Sequence, residues 1–241
     1  MCDFDSIGFL SSDAEKLHAD IESAYPEQYA LTMKVNTFCQ RLQYELKFHS
    51  DNGDQVIGAT LFARSVSTYQ AFIILLLRGM HDQASMVLRC LLESVFYLAA
   101  ISKNPGYSQK IAQADPLDYK KSRNKLKKFL QRYNPKHKDL YVIDDQIHDV
   151  SKIISDPQMR KATVADVAKD ADLEDWYDVV YSSLCGHVHS SLRSLEKLLK
   201  IDNDEIESLQ NHPQADDLEH LFLTGVNIML LSIESISAIL I

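Results

Sequence analysis

The sequence predicts an all-α protein, a single multi-helix bundle around a central antiparallel apolar hairpin. The chain of 241 residues contains only 7 Gly and 6 Pro, too few for a fold with many turns. Apolar residues recur at helical spacing over long segments. With 46% hydrophobic residues, the chain can bury a large core. Nothing resembles a linker between two cores, so we expect one helical domain over residues 1–241, with its core at about 27–200.

The first two helices follow from signals at their ends. The pattern Ser12-x-x-Glu15 is typical of a capping box and predicts a short helix that runs to about Tyr25. Pro26 suits the first position of a second helix, whose apolar spacing continues to about Leu46.

The next two helices are the most apolar and form the predicted hairpin. A turn signal at 51–53 precedes a third helix over about 54–78, and Gly79 is its expected stop. A fourth helix over about 81–102 ends at the Asn-Pro-Gly sequence of 104–106. Because their connection is very short, we expect these two helices to pack side by side at the centre of the bundle.

Two opposite charges interrupt the apolar run of the fourth helix. Arg89 and Glu93 lie four residues apart, hence on one helical face, within the apolar segment 86–101. Charges persist in such a place when they satisfy one another, position a ligand or react. Tyr97 lies one turn further on the same side and is a candidate partner.

Charge is divided unevenly along the second half of the chain. Residues 120–138 carry nine Lys or Arg and no acid, with apolar residues at helical spacing, which predicts a basic amphipathic helix. Residues 202–219, in contrast, carry seven acids and no Lys or Arg. The candidate nucleic-acid-binding residues on the basic helix are Lys121, Lys125, Lys128 and Arg132.

The remaining chain is also predicted to be helical. We expect helices over about 139–155, 164–171 and 173–189, another from Ser190 to about Lys200, and a C-terminal helix over about 214–241. The last contains a segment, 221–241, long enough to span a bilayer. It also holds Glu234 and several polar residues without basic flanks, which favours a helix packed on the core or in a dimer interface over a membrane span.

Composition favours a cytoplasmic homo-oligomer that holds no cofactor. The N-terminus is acidic where a secretory signal would be basic. The four cysteines are scattered, which predicts reduced thiols in place of a disulfide framework. The net charge of −9 excludes a surface built wholly for nucleic acid but allows a local basic patch.

A second candidate constellation lies at Tyr181, Cys185, His187 and His189. In one continuous helix Cys185 and His189 share a face, whereas His187 points roughly the other way. His-x-His without a carboxylate cluster at ligand spacing is weak evidence for metal, so no metal site is expected. Catalysis by a Cys185 thiolate is an alternative, but buried cysteines commonly serve packing. His81 is expected to be a solvated or capping histidine.

These patterns together resemble a known family. Residues 62–65 and 75–93, followed by Tyr181-x7-His189, are similar to a family of bacterial helical proteins catalogued only as a domain of unknown function. The resemblance covers about residues 54–200 and implies that Arg89, Glu93, Tyr181 and His189 match its motifs, with Cys185 in place of a serine. It implies no established activity.

The predicted bundle, with polar residues at its centre, also resembles distantly the nucleotide-binding and RNA-cleaving helical bundles of toxin and phage-defence systems. Those proteins carry Arg, a few residues, then His on one helix. The corresponding spacing here, Arg132 to His137, includes Pro135, which disfavours a helix, and is not accepted as a match.

Three hypotheses for function stay open, the first two nearly level. In the first, the protein acts on RNA or a nucleotide, with Arg89 holding a phosphate, His189 as acid or base, Glu93 orienting one of them, and Tyr181 completing the catalytic set. In the second, the protein is a non-catalytic interaction or homo-oligomerisation module, and Arg89–Glu93 is a structural ion pair. The third and least favoured is a metal enzyme using His187, His189 and Glu93.

Overall fold

A computed structural model of the protein describes residues 3–154, 161–188, 195–196, 198–202, 205–209 and 211–240. These residues are mostly helical, which confirms the all-α prediction. A 3-10 turn follows α1, a π-helix over Trp176–Tyr181 precedes α9, and β1 (Leu199–Asp202) pairs with β2 (Glu205–Leu209). The α-helices are α1 (Asp3–Ile7), α2 (Ser12–Ala24), α3 (Pro26–Glu45), α4 (Gly53–Leu77), α5 (His81–Lys103), α6 (Tyr107–Tyr133), α7 (Asp139–Ile153), α8 (Val164–Asp170), α9 (Ser182–Val188) and α10 (Glu219–Leu240).

Helices α4 and α5 contact each other more extensively than any other pair of described elements. Gly79 makes the turn between them with φ +69°, a conformation that L side chains rarely adopt. A Cβ there would also come within 2.6 Å of a Leu17 methyl group and 2.7 Å of the Gln214 amide nitrogen. Glycine is therefore required both by the backbone conformation and by the close approach of two other segments.

Helix α10 completes the core by packing on α3, α4 and α5. Gly225 brings it so close to α4 that an added Cβ would lie 2.7 Å from a ring carbon of Phe72 and 3.1 Å from one of Tyr69. Both rings are fully buried, as is Phe222 on α10. The core therefore contains a tightly packed aromatic layer between α4 and α10.

By length and composition, three described helices could each cross a membrane, namely α4, α5 and α10. The buried share of the apolar segment differs among these helices, and is 67% for α5 and 39% for α10. The large apolar side chains that α10 leaves exposed are Leu223 and Leu230.

Helix α6 packs far more on α7 than on the central helices. Asp54, at the start of α4, fixes the first turn of α6. The Asp54 carboxylate accepts hydrogen bonds from the backbone N–H of Gly106 at 2.6 Å and of Ser108 at 2.9 Å. Further along, an ion pair between Lys127 and Asp144 joins α6 to α7.

Two helix starts differ from the sequence prediction. The cap of α2 is Ser11 and not Ser12, since Ser11 is extended and its hydroxyl accepts a hydrogen bond from the Ala14 amide at 3.3 Å. The C-terminal helix begins at Glu219 instead of about 214, because Asp217 adopts φ +55°, which breaks a helix.

The predicted helix from Ser190 to Lys200 is wrong at its end. Leu199 and Lys200 begin β1, and Lys200 forms a cross-strand ion pair of 2.6 Å with Glu207. Pairing of β1 with β2 satisfies backbone N–H and C=O groups that would otherwise form hydrogen bonds within a helix. Residues 189–194 lie outside the described residues.

Candidate functional site

The π-helix and α9 lie along one face of α5, in the opposite direction. Three side-chain contacts establish this arrangement, because the residue numbers rise on one partner as they fall on the other. Leu184, buried at the centre of α9, packs between the two helices. The contacts are Tyr181 with Glu93, Cys185 with Arg89, and His187 with Asp82.

Arg89, Glu93 and Tyr181 form a closed triangle of polar contacts. The guanidinium and carboxylate form an ion pair of 3.0 Å within α5. The Tyr181 hydroxyl accepts a hydrogen bond from Arg89 and donates one of 2.6 Å to Glu93. Cys185 adds a fourth contact, with its sulfur 3.2 Å from Nε of Arg89. We call these four residues the arginine cluster, and it brings together three of the four predicted catalytic residues.

The contacts of the arginine cluster keep the Tyr181 phenol neutral and the Arg89 guanidinium charged. Burial raises the pKa of the Tyr181 hydroxyl, and its hydrogen bond to the Glu93 carboxylate raises that pKa further, so the phenol stays a neutral donor. Burial alone would lower the pKa of Arg89. The Cys185 sulfur and Glu93 outweigh this, so the net pKa is raised and the guanidinium stays charged. The side chains of Arg89 and Glu93 are 20% and 30% exposed, and water therefore reaches both.

Aromatic rings fix the position of the Tyr181 side chain. Its ring stacks on that of Tyr177, with centroids 5.1 Å apart, and packs 6.1 Å from Phe96. The Arg89 guanidinium lies 4.7 Å from the Tyr181 centroid, at cation–π distance. Both tyrosines belong to the π-helix, a conformation often found at functional sites.

A second cluster lies where α5 begins and α9 ends. His187 Nδ1 is 2.8 Å from Oδ1 of Asp82, and His81 Nδ1 is 3.7 Å from the same oxygen. The His81 ring lies 5.7 Å from the ring of His187 and 5.7 Å from that of His220 on α10. His81, Asp82 and His187, the histidine cluster, are all partly buried. Sequence reasoning missed this cluster and treated His81 as a solvated or capping residue.

His187 lies roughly opposite Cys185 around α9, as the helical period predicts, yet both side chains contact α5. Because Leu184 occupies the centre of the buried face, Cys185 and His187 lie on its two flanks, at about 100° and 60° around the helix. The buried leucine was the signal that could have located them both.

His189 follows α9 directly and lies outside the described residues, so its predicted role stays a prediction. Of the hypothetical metal set, the two described members, His187 and Glu93, do not contact each other. His187 contacts Asp82, which precedes Glu93 by eleven residues, or about 16 Å along α5. Tyr97 lines a separate cavity of about 240 Å³ with Tyr107 and Lys161.

The predicted nucleic-acid-binding lysines share a groove. Lys121, Lys125 and Lys128 line it together with Lys120, and the other lining residues are uncharged. Arg132 lies one turn beyond this lysine groove, with its guanidinium 5.5 Å from the Tyr133 ring. The uncharged residues that complete the lining are Leu117, Asn124, Ser151 and Ile154.

A family model described as a family of unknown function, DUF5677, matches residues 55–206. The chain belongs to the DUF5677 family. The predicted membership of a helical family of unknown function is thereby confirmed. The DUF5677 region begins in α4 and ends in β2, so it contains the arginine cluster, the histidine cluster and the lysine groove. No curated protein and no solved structure matches the chain.

Proposed function

We propose that this protein binds RNA through the lysine groove. The observation that carries the proposal is the presence of four lysines in one groove whose other lining residues are uncharged. Such a patch attracts polyphosphate and releases condensed counterions when the chain binds. Because the protein as a whole carries a net charge of −9, binding is confined to this local surface.

The length of the groove favours a polymer over a single nucleotide. Lys120 and Lys128 are eight residues apart on α6, which is about 12 Å along the helix axis. Successive phosphates of a strand can contact lysines over that distance. Asn124 lies among them and supplies an uncharged hydrogen-bonding group.

Fluorescence anisotropy with a labelled single-stranded RNA of mixed sequence tests the proposal. The double variant Lys121→Glu/Lys125→Glu is expected to weaken binding by more than about tenfold. When four lysines contact phosphates, the logarithm of the association constant falls with the logarithm of salt with a slope of about −3. The matched control is Lys34→Glu/Lys47→Glu, two exposed lysines in and just after α3, which should leave binding unchanged. Failure of the wild type to bind, or an equal loss in the control, would refute the proposal.

The chemical part of the proposal concerns the arginine cluster. Arg89, held by Tyr181 and Glu93, binds a phosphate of the bound RNA, and His189 acts as the general acid or base when the phosphodiester bond is cleaved. Incubation of purified protein with mixed RNA should then give cleavage that Arg89→Ala and His189→Ala each abolish, while circular dichroism shows that both variants fold. Binding without cleavage would keep the RNA-binding proposal and reject the catalytic assignment.

A second candidate function is a non-catalytic interaction module. The observation in its favour is that Arg89 already contacts Tyr181, Glu93 and Cys185 within the chain, which suits a structural ion pair. In that case Arg89→Ala lowers thermal stability strongly, and Lys128→Glu, at an exposed lysine of the groove, changes only association. An unchanged melting temperature with lost RNA cleavage would eliminate this candidate.

We further propose a cytoplasmic homo-oligomer without a membrane partner. The support is that α10 exposes Leu223 and Leu230, one heptad apart, and that an apolar surface of this kind suits a second copy of the chain. Light scattering after gel filtration should give at least twice the monomer mass, and Leu223→Ser/Leu230→Ser should reduce it. Sedimentation of the expressed protein with membranes would contradict the location.

A further inference from the structure

The histidine cluster is not used by the proposed RNA-binding function. It joins the first turn of α5 to the end of α9, and its side chains are only partly buried, at 14% exposed for His81, 24% for Asp82 and 16% for His187. We propose that His81, Asp82 and His187 form a binding site for a divalent transition-metal ion such as Zn²⁺.

The distances among the ligand atoms fit one ion. The nitrogens of His81 and His187 and the carboxylate oxygen of Asp82 all lie within 4.8 Å of one another. Zn–N and Zn–O bonds are about 2.0–2.2 Å, so ligand atoms on one tetrahedral ion are roughly 3.4 Å apart. The observed 2.8 Å and 3.7 Å separations from Asp82 bracket this value. An ion bound by the three ligands would replace the hydrogen bond between His187 and Asp82.

His220 supplies a further imidazole beside the three ligands. Two rings bound to one zinc ion have centroids roughly 5 Å apart, given Zn–N bonds of about 2.0 Å. The His81 ring is 5.7 Å from both neighbouring imidazole rings. His220 is exposed at the start of α10, so its ring can turn toward the ion.

The ligand types select the class of metal. Two imidazole nitrogens and one carboxylate suit Zn²⁺ and similar first-row ions, whereas Mg²⁺ and Ca²⁺ prefer oxygen ligands throughout. Three protein ligands leave a fourth coordination position, which His220 or a water molecule would fill. The Cys185 sulfur contacts Arg89 and is not one of the ligands.

Zinc titration of protein from which the affinity tag has been cleaved and metal removed by chelation tests the site. Calorimetry should give one Zn²⁺ per chain, and Co²⁺ should produce visible absorption of a four- or five-coordinate ion. Asp82→Ala and His187→Ala should each weaken Zn²⁺ binding by more than about tenfold. His148→Ala, at an exposed histidine of α7, should leave the affinity unchanged.

A measurement on the wild type avoids dependence on variants that fail to fold. In NMR spectra of the histidine side chains, Zn²⁺ should shift the resonances of two or three imidazoles at one equivalent and leave the rest unchanged. The ion should also raise the melting temperature, since its ligands join α5 to α9. The absence of stoichiometric Zn²⁺ or Co²⁺ binding, or an equal loss of affinity in His148→Ala, would overturn the inference. The Lys121→Glu/Lys125→Glu variant should bind Zn²⁺ normally, so the two proposals fail independently.

Discussion

The Tyr181 hydroxyl donates a 2.6 Å hydrogen bond to Glu93, a residue 88 positions earlier in the chain. The same hydroxyl accepts from Arg89, so one oxygen atom satisfies both charges of α5. An Arg–Glu pair in this order along a helix is weakly stabilising by itself. The contact from the π-helix anchors the pair and joins α5 to the segment that leads into α9.

We predict that Tyr181→Phe lowers the free energy of unfolding by about 1.5–3 kcal/mol. The substitution keeps the ring contacts and removes only the hydroxyl that hydrogen-bonds two charged groups. Urea denaturation measures the effect. Tyr177→Phe, in the same π-helix and stacked on the same ring, is the matched control and should cost less than half as much. Equal losses in the two variants would contradict the assigned hydrogen bonds.

A double-mutant cycle should show coupling between Arg89 and Glu93. Arg89→Ala leaves the Glu93 carboxylate partly buried without its cation, so the single variant loses more stability than the pair itself contributes. The variant Arg89→Ala/Glu93→Ala should therefore be less destabilised than the sum of the two single variants, by about 0.5–3 kcal/mol. Additive losses would indicate that the two side chains act independently.

Asp54 should make the stability of the protein depend on pH. Burial alone would raise the pKa of Asp54, but hydrogen bonds from the Ser108 side chain and the amides of Gly106 and Ser108 outweigh it and lower the pKa. A carboxyl with a lowered pKa stabilises the fold above its unfolded pKa of about 3.9, and this stabilisation is lost as pH falls through the folded value.

Asp54→Ala is expected to cost about 1–2 kcal/mol at pH 7, the usual loss for a helix cap. The cost should shrink when denaturation is repeated below pH 4. Asp51→Ala, an exposed neighbour in the preceding turn, serves as the control and should change stability by less than about 0.5 kcal/mol. A cost that does not vary with pH would show that the charge of Asp54 is not involved.

Substitution of two glycines by alanine should change the stability of the protein in opposite directions. Gly225→Ala places a methyl group against the buried rings of Phe72 and Tyr69 and should destabilise the protein by about 1–3 kcal/mol. Gly186→Ala meets nothing within 4 Å on an exposed face of α9 and should stabilise it by about 0.5–1 kcal/mol. Thermal denaturation of both variants checks the sign of each change.

The helices were largely predictable because their signals are local. Pro26 begins α3, Gly79 ends the α4 region, and apolar spacing marks each helix between such signals. Errors occurred where two nearby signals competed, as at Ser11 and Ser12, or where a strand partner decided the conformation, as at Leu199. The pairing of β1 with β2 joins residues up to ten positions apart, beyond the three- and four-residue spacing by which helices are recognised.

The sequence by itself determined most of the helices, that Arg89 and Glu93 share one face of α5, and that the second half of the chain has a basic segment. These properties depend on a period of 3.6 residues and on composition, and both are readable locally. Only the tertiary structure decided that Tyr181 completes the arginine cluster and that His81, Asp82 and His187 come together. The reason is packing, because the burial of Leu184 determines which flanks of α9 face α5 across about a hundred residues of intervening chain.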